Sequence, residues 1–424
     1  MKIAIVAHGH PVLSAGGGER AAYSLFEHLK DRRGVEPVFV ARASPSDIAH
    51  DAWFGAFRGR RDEFLWSPPP FVWFRRVTAN HDVLRLQVRT LVDSLQPDIV
   101  HFHHYIFFGL DAMGIFKELA GCPTVLTLHE YGLICHHDGQ MVKPGTLHLC
   151  HEASPAECHA CFTEFTAGQF FLREMLIKQL LDDVDGFVSP SRFLRDRHVS
   201  WGIDSARIRV IENLLPPRFD FHGDGQSNET DRTKCTSGRI RFGFFGQLNR
   251  FKGADVLLNA VKHLERDVVE RIEIILFGAK LEEQEKEFQD ALRAKIESSA
   301  AKVSFFGPYR NDDVPRLLRS VDWMVLPSIW WENSPLVIQE ARAVGTPILA
   351  SNIGGMAEKI RNGVDGLLFL AGSDLDLASK IESVVRGTVA VNAGRLDLAA
   401  QNLTVLEAHV RLYEELLAAG AARS

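Results

Sequence analysis

Short apolar runs, closed by turn-forming residues and separated by stretches of helical period, constrain this 424-residue chain more than any other feature. In the first half they are "KIAIVAH" (2–8), "PVFVA" (37–41), "DIVHFH" (98–103), "PTVLTLH" (123–129), "GFVSP" (186–190) and "IRVIEN" (208–213). In the second half they are "IRFGFFG" (240–246), "IEIILFG" (272–278), "KVSFFG" (302–307), "WMVLPS" (323–328), "PILAS" (347–351) and "GLLFL" (366–370). Runs apolar on both faces are buried parallel strands, and helical patterns such as "ADVLLNAVKHLERDV" supply the crossovers. The polar, turn-rich segment 219–239 has no period and reads as a linker. The expected architecture is α/β: two doubly wound, Rossmann-like parallel-sheet domains, 1–213 and 240–401, joined by residues 214–239. A last helix spans 402–419.

Composition narrows the function classes. A net charge of -6 gives no reason to expect nucleic acid as a partner. The opening "MKIAIVAHGHP" lacks the apolar core of a secretory signal, and no run reaches bilayer-spanning length. A cytoplasmic protein is therefore expected.

The stretch "WWENSPLVIQEARAVGTPI" (330–348) carries the first chemical signal. After the strand "WMVLPS", Ser334 suits a helix N-cap, Pro335 the first helical position and Gly345 the position just past the end. Ligands bind at this edge of open α/β sheets, and the free N–H groups of 335–337 favour an anion. At 100° per residue Val337, Ala341 and Val344 share a face, Gln339 and Arg342 lie opposite, and Glu340 falls on the partly buried side. A carboxylate there needs donors, which a vicinal diol such as a ribose supplies. Glu332 precedes the helix, near the anion. A capped amphipathic helix with a snorkelling Glu340 is the plainer alternative. The loop "GQLNRFKG" (246–253) brings Arg250 and Lys252 to a second strand end, with glycines permitting close approach to phosphate.

In that order, the E-x7-E pair Glu332 and Glu340, the "GQLNRFKG" loop, "FFGPYRNDDVPRLLRSVDWMVLPS", "EARAVGTPILASNIGG", "GGGER" (16–20) and "TLHE" (127–130) resemble family 4 glycosyltransferases of GT-B fold. The resemblance implies two domains flanking a cleft and a retaining transfer of sugar from a nucleotide sugar to an acceptor hydroxyl. By resemblance, Glu340 holds the ribose hydroxyls and Glu332 contacts the donor sugar. The amides of Asn333, Ser334, Pro335, Leu336 and Val337 meet sugar and phosphate (Pro335 itself contributes no N–H). Lys252 meets the diphosphate, beside Gly16 and Gly17; His129 stands near the reacting centre; the nucleobase lies near Tyr309 and Arg310. The final helix is expected to return to the N-terminal domain. One departure stands out: the family's arginine after the first loop glycine is Gln247 here, and Arg250 is the candidate to compensate. No catalytic metal is expected. The D-x-D matches "DVD" (183–185) and "DLD" (374–376) read as solvated carboxylates.

The segment 135–161, "CHHDGQMVKPGTLHLCHEASPAECHAC", is long, polar and poor in apolar residues. Its spacing makes Cys135, Cys150, Cys158 and Cys161 candidates for a structural zinc site. Reduced thiols without metal are the alternative, and an iron–sulfur cluster a further one. The segment 57–89 interleaves arginine with tryptophan and phenylalanine, as a membrane-surface contact or an acceptor groove would. The expected acceptor is a glycan or lipid-linked acceptor in bacterial polysaccharide or glycolipid assembly, at the inner face of the cytoplasmic membrane. An epimerase or hydrolase of the same fold, or a non-catalytic nucleotide-sugar-binding scaffold, are the competing functions.

Overall fold

The computed structural model describes residues 1–14, 16–48, 52–217, 219 and 238–422. The expected linker, 214–239, falls largely outside them. The chain forms two compact units, Met1–Pro217 with Asn402–Ser424, and Arg218–Gln401.

In the first unit the strands are β1 (Lys2–Ala7), β2 (Glu36–Arg42), β3 (Phe54–Ala56), β4 (Glu63–Trp66), β5 (Phe71–Val72), β6 (Val77–Thr78), β7 (Ile99–Phe102), β8 (Thr124–Thr127), β9 (Gly186–Ser189) and β10 (Ile208–Val210). The main sheet runs β10-β9-β8-β7-β1-β2-β4-β3, and β5 and β6 pair as a small hairpin. All its pairings are parallel except β3 with β4. The six apolar runs become β1, β2 and β7–β10. The four strands between 54 and 78 were hidden from the sequence for a physical reason. Glu63 opens β4, fully buried, where a charge argues against a strand. It is accommodated by His10 at 2.9 Å, the Tyr23 hydroxyl at 3.2 Å and the Arg60 guanidinium. The aromatic-basic segment divides accordingly. Trp66 is buried and donates to Gln87 at 2.9 Å, and Arg76 is buried with its Nε donating to the Gly132 carbonyl.

The last helix, Leu398–Ala421, completes this unit's core. Val405, Leu406, Val410, Leu412 and Tyr413 pack with Ile3, Ile5, Leu25, Phe26 and Phe39. His101, in mid-β7, is paired on both ring nitrogens at 2.7 Å, with the Tyr413 and Thr127 hydroxyls. That satisfies a polar group which would otherwise be costly in a core strand.

The second unit contains β11 (Ile240–Gln247), β12 (Ile272–Ala279), β13 (Lys302–Gly307), β14 (Trp323–Leu326), β15 (Ile348–Ser351) and β16 (Gly366–Phe369). All pair parallel in the order β13-β12-β11-β14-β15-β16. Among their parallel strands the sheets reverse order at β1/β7 and at β11/β14. In open α/β sheets the crevice beyond such a reversal is the favoured ligand site.

Candidate functional site

At the first reversal, β1, β7 and β8 end side by side. His8 follows β1, His103 and His104 follow β7, and His129 closely follows β8. Gly16 is the N-cap of the helix Gly17–Lys30, with no side-chain cap. A Cβ on Gly16 would strike the Glu19 carboxylate, and one on Gly18 would come within 3.2 Å of His8 and 3.9 Å of His129. The glycines thus let the helix start close over the histidines. Sequence reasoning missed Glu19, which is buried, accepts from the Ser14 hydroxyl at 2.7 Å and pairs with His8 at 3.2 Å. Burial opposes its ionisation, but the hydrogen bond and charge of His8 and the Ser14 hydroxyl outweigh it and hold its pKa down at about 2. The available signal was a carboxylate in the first turn of a glycine-led helix. Burial pushes the His129 imidazole well below its ordinary range, to about 3, with His8 adding to the effect and Glu19 opposing it. His129 is therefore neutral near pH 7.

At the second reversal, the loop after β11 packs on the loop after β14. Gly253 has φ +71°, and any Cβ there would collide with the Pro327 carbonyl. The Asn249 side chain accepts from the N–H groups of Phe251 and Lys252 at 3.0 and 3.1 Å, which shapes the turn. Lys252 Nζ then lies 2.5 Å from Glu332 Oε1. The Ser328 hydroxyl and Trp330 Nε1 donate to the same oxygen, each at 2.9 Å. Side chains on Gly354 or Gly355 would run into the Glu332 and Asn333 backbone, and Gly355 N–H donates to the Glu332 carbonyl at 2.7 Å.

The helix Leu336–Val344 starts one residue later than expected. Pro335, at ψ 120°, is the extended cap and Ser334 lies outside it; Gly345 ends the helix at φ +77°. Pro335 itself makes no side-chain cap hydrogen bond. Glu340 is 2% exposed. Gln339, expected on the outer face, is also buried and accepts from Gln401 at 2.8 Å, because the chain after the last strand covers that side.

Other predicted residues lie apart from this pair. Arg250 does not join Lys252: its guanidinium pairs with Glu285 at 3.0 Å and lies over Phe288. Gln247 is exposed at the end of β11. Tyr309 faces the Phe245 ring at 6.0 Å, and the exposed Arg310 is 3.6 Å from Asp312.

The four cysteines share a neighbourhood without forming the expected metal site. Among the described residues, no group of three or more His, Cys, Asp or Glu side chains is arranged to hold a metal ion. The bridge between Val142 and Leu149 turns the chain back so that Cys150 N–H reaches the Met141 carbonyl at 2.7 Å. Cys158 and Cys161 lie on the helix Pro155–Cys161. Burial raises all four thiols, Cys135 to about 11 and Cys158 to about 12, and the charge of neighbouring cysteines raises Cys135, Cys150 and Cys158 further. The Cys150 thiol is turned to the Glu152 carbonyl at 3.3 Å.

Residues 15–218 match the family model Glycosyltransferase Family 4, and residues 227–394 match Glycosyl transferases group 1. A D-inositol 3-phosphate glycosyltransferase of Rhodococcus opacus is 34% identical over 387 residues, covering 85% of this chain and 77% of that one. The chain is a family 4 glycosyltransferase.

Other relatives of this glycosyltransferase carry the same description. That of Nocardia farcinica is 26% identical over 87% of this chain and 78% of its own length. That of Corynebacterium jeikeium is 25% identical over 65% of this chain, and the match spans 61% of its own length. Solved structures agree in fold. Anabaena HepE in complex with UDP and glucose superposes with a TM-score of 0.65 at 19% identity, over 97% of this chain and 99% of that one. A sucrose-phosphate synthase from Thermosynechococcus elongatus gives 0.70 at 17% identity, over 99% of each chain. The fold is thus GT-B, as the motif order implied.

Proposed function

We propose that this glycosyltransferase moves a sugar from a nucleoside-diphosphate sugar to an acceptor hydroxyl with retention at the anomeric carbon. One observation carries the reading: Lys252 and Glu332 meet at the strand-order reversal of the second unit. The bond from the anomeric carbon to the diphosphate breaks, and the bond to the acceptor oxygen forms. The acceptor's proton goes to the departing phosphate. Negative charge grows on that phosphate, so fixed donors aimed at it give the largest gain. Lys252 and the start of the helix Leu336–Val344 serve this role. Glu332 takes the donor sugar, Glu340 the ribose hydroxyls, and Tyr309 with Arg310 the base. Amides from Asn333 to Val337, other than Pro335, meet sugar and phosphate. In the first unit Gly16 and Gly17 admit the diphosphate, and neutral His129 acts by hydrogen bonding. Gln247 contributes no charge, so Lys252 carries more of the load; Arg250 assists only after leaving Glu285, an exposed pair of small worth. UDP and glucose stand in HepE, which supports a uridine nucleotide as the first donor to try.

The same reading extends to partners. The acceptor is a glycan or a lipid-linked molecule, approached at the inner face of the cytoplasmic membrane. Exposed Trp73, Phe171, Leu172 and Met175 support membrane contact, with Arg75 exposed beside Trp73. Phe74 stacks on Phe165 at 4.0 Å and touches Phe170, which links the hairpin to the helix Ala167–Leu181. The four cysteines suit zinc by donor chemistry alone: crowded thiols with raised pKa values ionise readily only beside a cation.

A thermal-shift screen with UDP-, GDP-, dTDP- and ADP-sugars tests the donor assignment. A donor at a hundred times its dissociation constant stabilises by about 2.7 kcal/mol. Stabilisation by one nucleotide, lost in Lys252→Ala, is the expected result. Equal stabilisation of wild type and Lys252→Ala would remove Lys252 from the site.

A further inference from the structure

The ring of His103 stands behind that of His129. The two are stacked with centroids 5.4 Å apart, and His103 Nδ1 lies 3.2 Å from His129 Nε2. His103 is buried, its Nε2 has no protein partner among the described residues, and the side chain borders a pocket with room for about one water molecule. Thr127, Glu212 and His409 line the same pocket. A hydrogen bond between two neutral imidazoles needs an N–H on one and a lone pair on the other, so each ring dictates the tautomer of its neighbour. Two arrangements are possible. If His129 donates from Nε2, His103 must carry its proton on Nε2, which leaves a buried N–H without a protein partner. If His103 donates from Nδ1, only a lone pair is left unpartnered. Orphaned buried donors are the rarer and costlier case.

We infer that His103 is a positioning residue that locks His129 as the Nδ1–H tautomer by donating to its Nε2. His129 then meets any further partner through Nδ1–H, as a hydrogen-bond donor. It cannot serve as a general base, because its one lone pair is already engaged. Burial acts in the same direction by keeping both rings uncharged. The inference rests on the reading of His129 as a residue of the reacting site, and it specifies what that residue offers: a donor to an oxygen of sugar or phosphate. Nothing in the primary sequence signals it, since 103 and 129 are joined only by the pairing of β7 with β8.

Long-range proton–nitrogen NMR of the full chain, labelled with 15N-histidine, reads the tautomer directly. His129 resonances are assigned by their loss in His129→Gln. The expected spectrum places the His129 proton on Nδ1. In His103→Leu, the tautomer becomes mixed and UDP release from UDP-glucose falls about tenfold in kcat, as for other lost orienting partners. KM for the donor stays within about twofold. His103→Asn, whose amide can still donate, restores most of the rate. An Nε2–H signal for His129 in the wild type overturns the inference without reference to any variant. So does a folded His103→Leu protein with unchanged tautomer and kcat. If His129→Ala keeps full turnover while the wild-type tautomer is Nδ1–H, the positioning stands and the site reading fails.

Discussion

Lys252 and Glu332 are paired with each other at 2.5 Å. On the proposed reading, a diphosphate displaces the Glu332 carboxylate from the ammonium, and the freed carboxylate turns to a sugar hydroxyl. Removing the charge of Glu332 should strengthen binding of a bare nucleoside diphosphate. We expect Glu332→Gln to bind UDP several-fold more tightly than wild type, about 1 kcal/mol, while transfer falls at least tenfold. Lys252→Ala should weaken UDP binding about tenfold or more. Isothermal titration of UDP against the three proteins checks both, and a Glu332→Gln variant with weaker UDP binding would show that the carboxylate is no competitor. The sequence made this pair visible, because E-x7-E spacing and a glycine-flanked lysine are local patterns. Glu19 left only the faint signal of a carboxylate in a first helical turn, and His103 was not legible: it acts through His129, and only the pairing of β7 with β8 brings the two together.

At the scale of single elements, the strands were legible and the exceptions are instructive. Runs with apolar residues on both faces were found within one to three residues at their ends. β4 escaped because its buried Glu63 is stabilised by His10, Tyr23 and Arg60, contacts that a window of sequence cannot contain. The start of the helix Leu336–Val344 was misplaced by one residue because Pro335 keeps extended backbone. Two elements carry predictions. Protein purified without added metal should contain about one zinc per chain if residues 135–161 hold it through Cys135, Cys150, Cys158 and Cys161; elemental analysis near zero, with all four thiols titratable in the folded state, would discard the metal. On the helix Ala167–Leu181, Phe171 and Leu172 are 54% and 65% exposed. Co-sedimentation with vesicles rich in anionic lipid should fall several-fold in Phe171→Glu/Leu172→Glu. Equal sedimentation of wild type and variant would mean that this face does not touch lipid.

Across the whole molecule, the two units differ in their response to acid. His101, His103, His104, His198 and His409 are buried in the first unit, and burial pushes each imidazole below its ordinary value, His198 and His409 to about 4. At neutral pH these rings are uncharged in both folded and unfolded chains. As pH drops below about 6.5, the unfolded chain takes up protons that the folded one refuses, and each histidine removes about 1.4 kcal/mol per pH unit until its folded pKa is reached. Glu19, with its depressed pKa, adds a further loss below about pH 4.5. In the second unit His263, the one histidine among its described residues, is exposed. The first unit should therefore unfold near pH 5 while the second persists. Acid titration followed by circular dichroism should show two steps, and an acid protease at pH 4–5 should cut within 1–217 first. A single step with cleavage in both units would contradict this assignment.

The last helix carries a consequence for synthesis on the ribosome. Tyr413 closes the hydrogen bond to His101, and Val405, Leu406 and Val410 fill the core begun by Ile3 and Ile5. Residues 1–217 therefore emerge first but cannot finish folding until residues near 413 have been made. The intervening stretch, 218–401, is continuous and holds its own sheet and core. At ordinary elongation rates the first-made segment waits roughly ten to forty seconds for its final helix. During that interval the floor of its core, including the His101 side of β7, is uncovered, so a nascent chain stalled before residue 398 is the form that chaperones and proteases would meet.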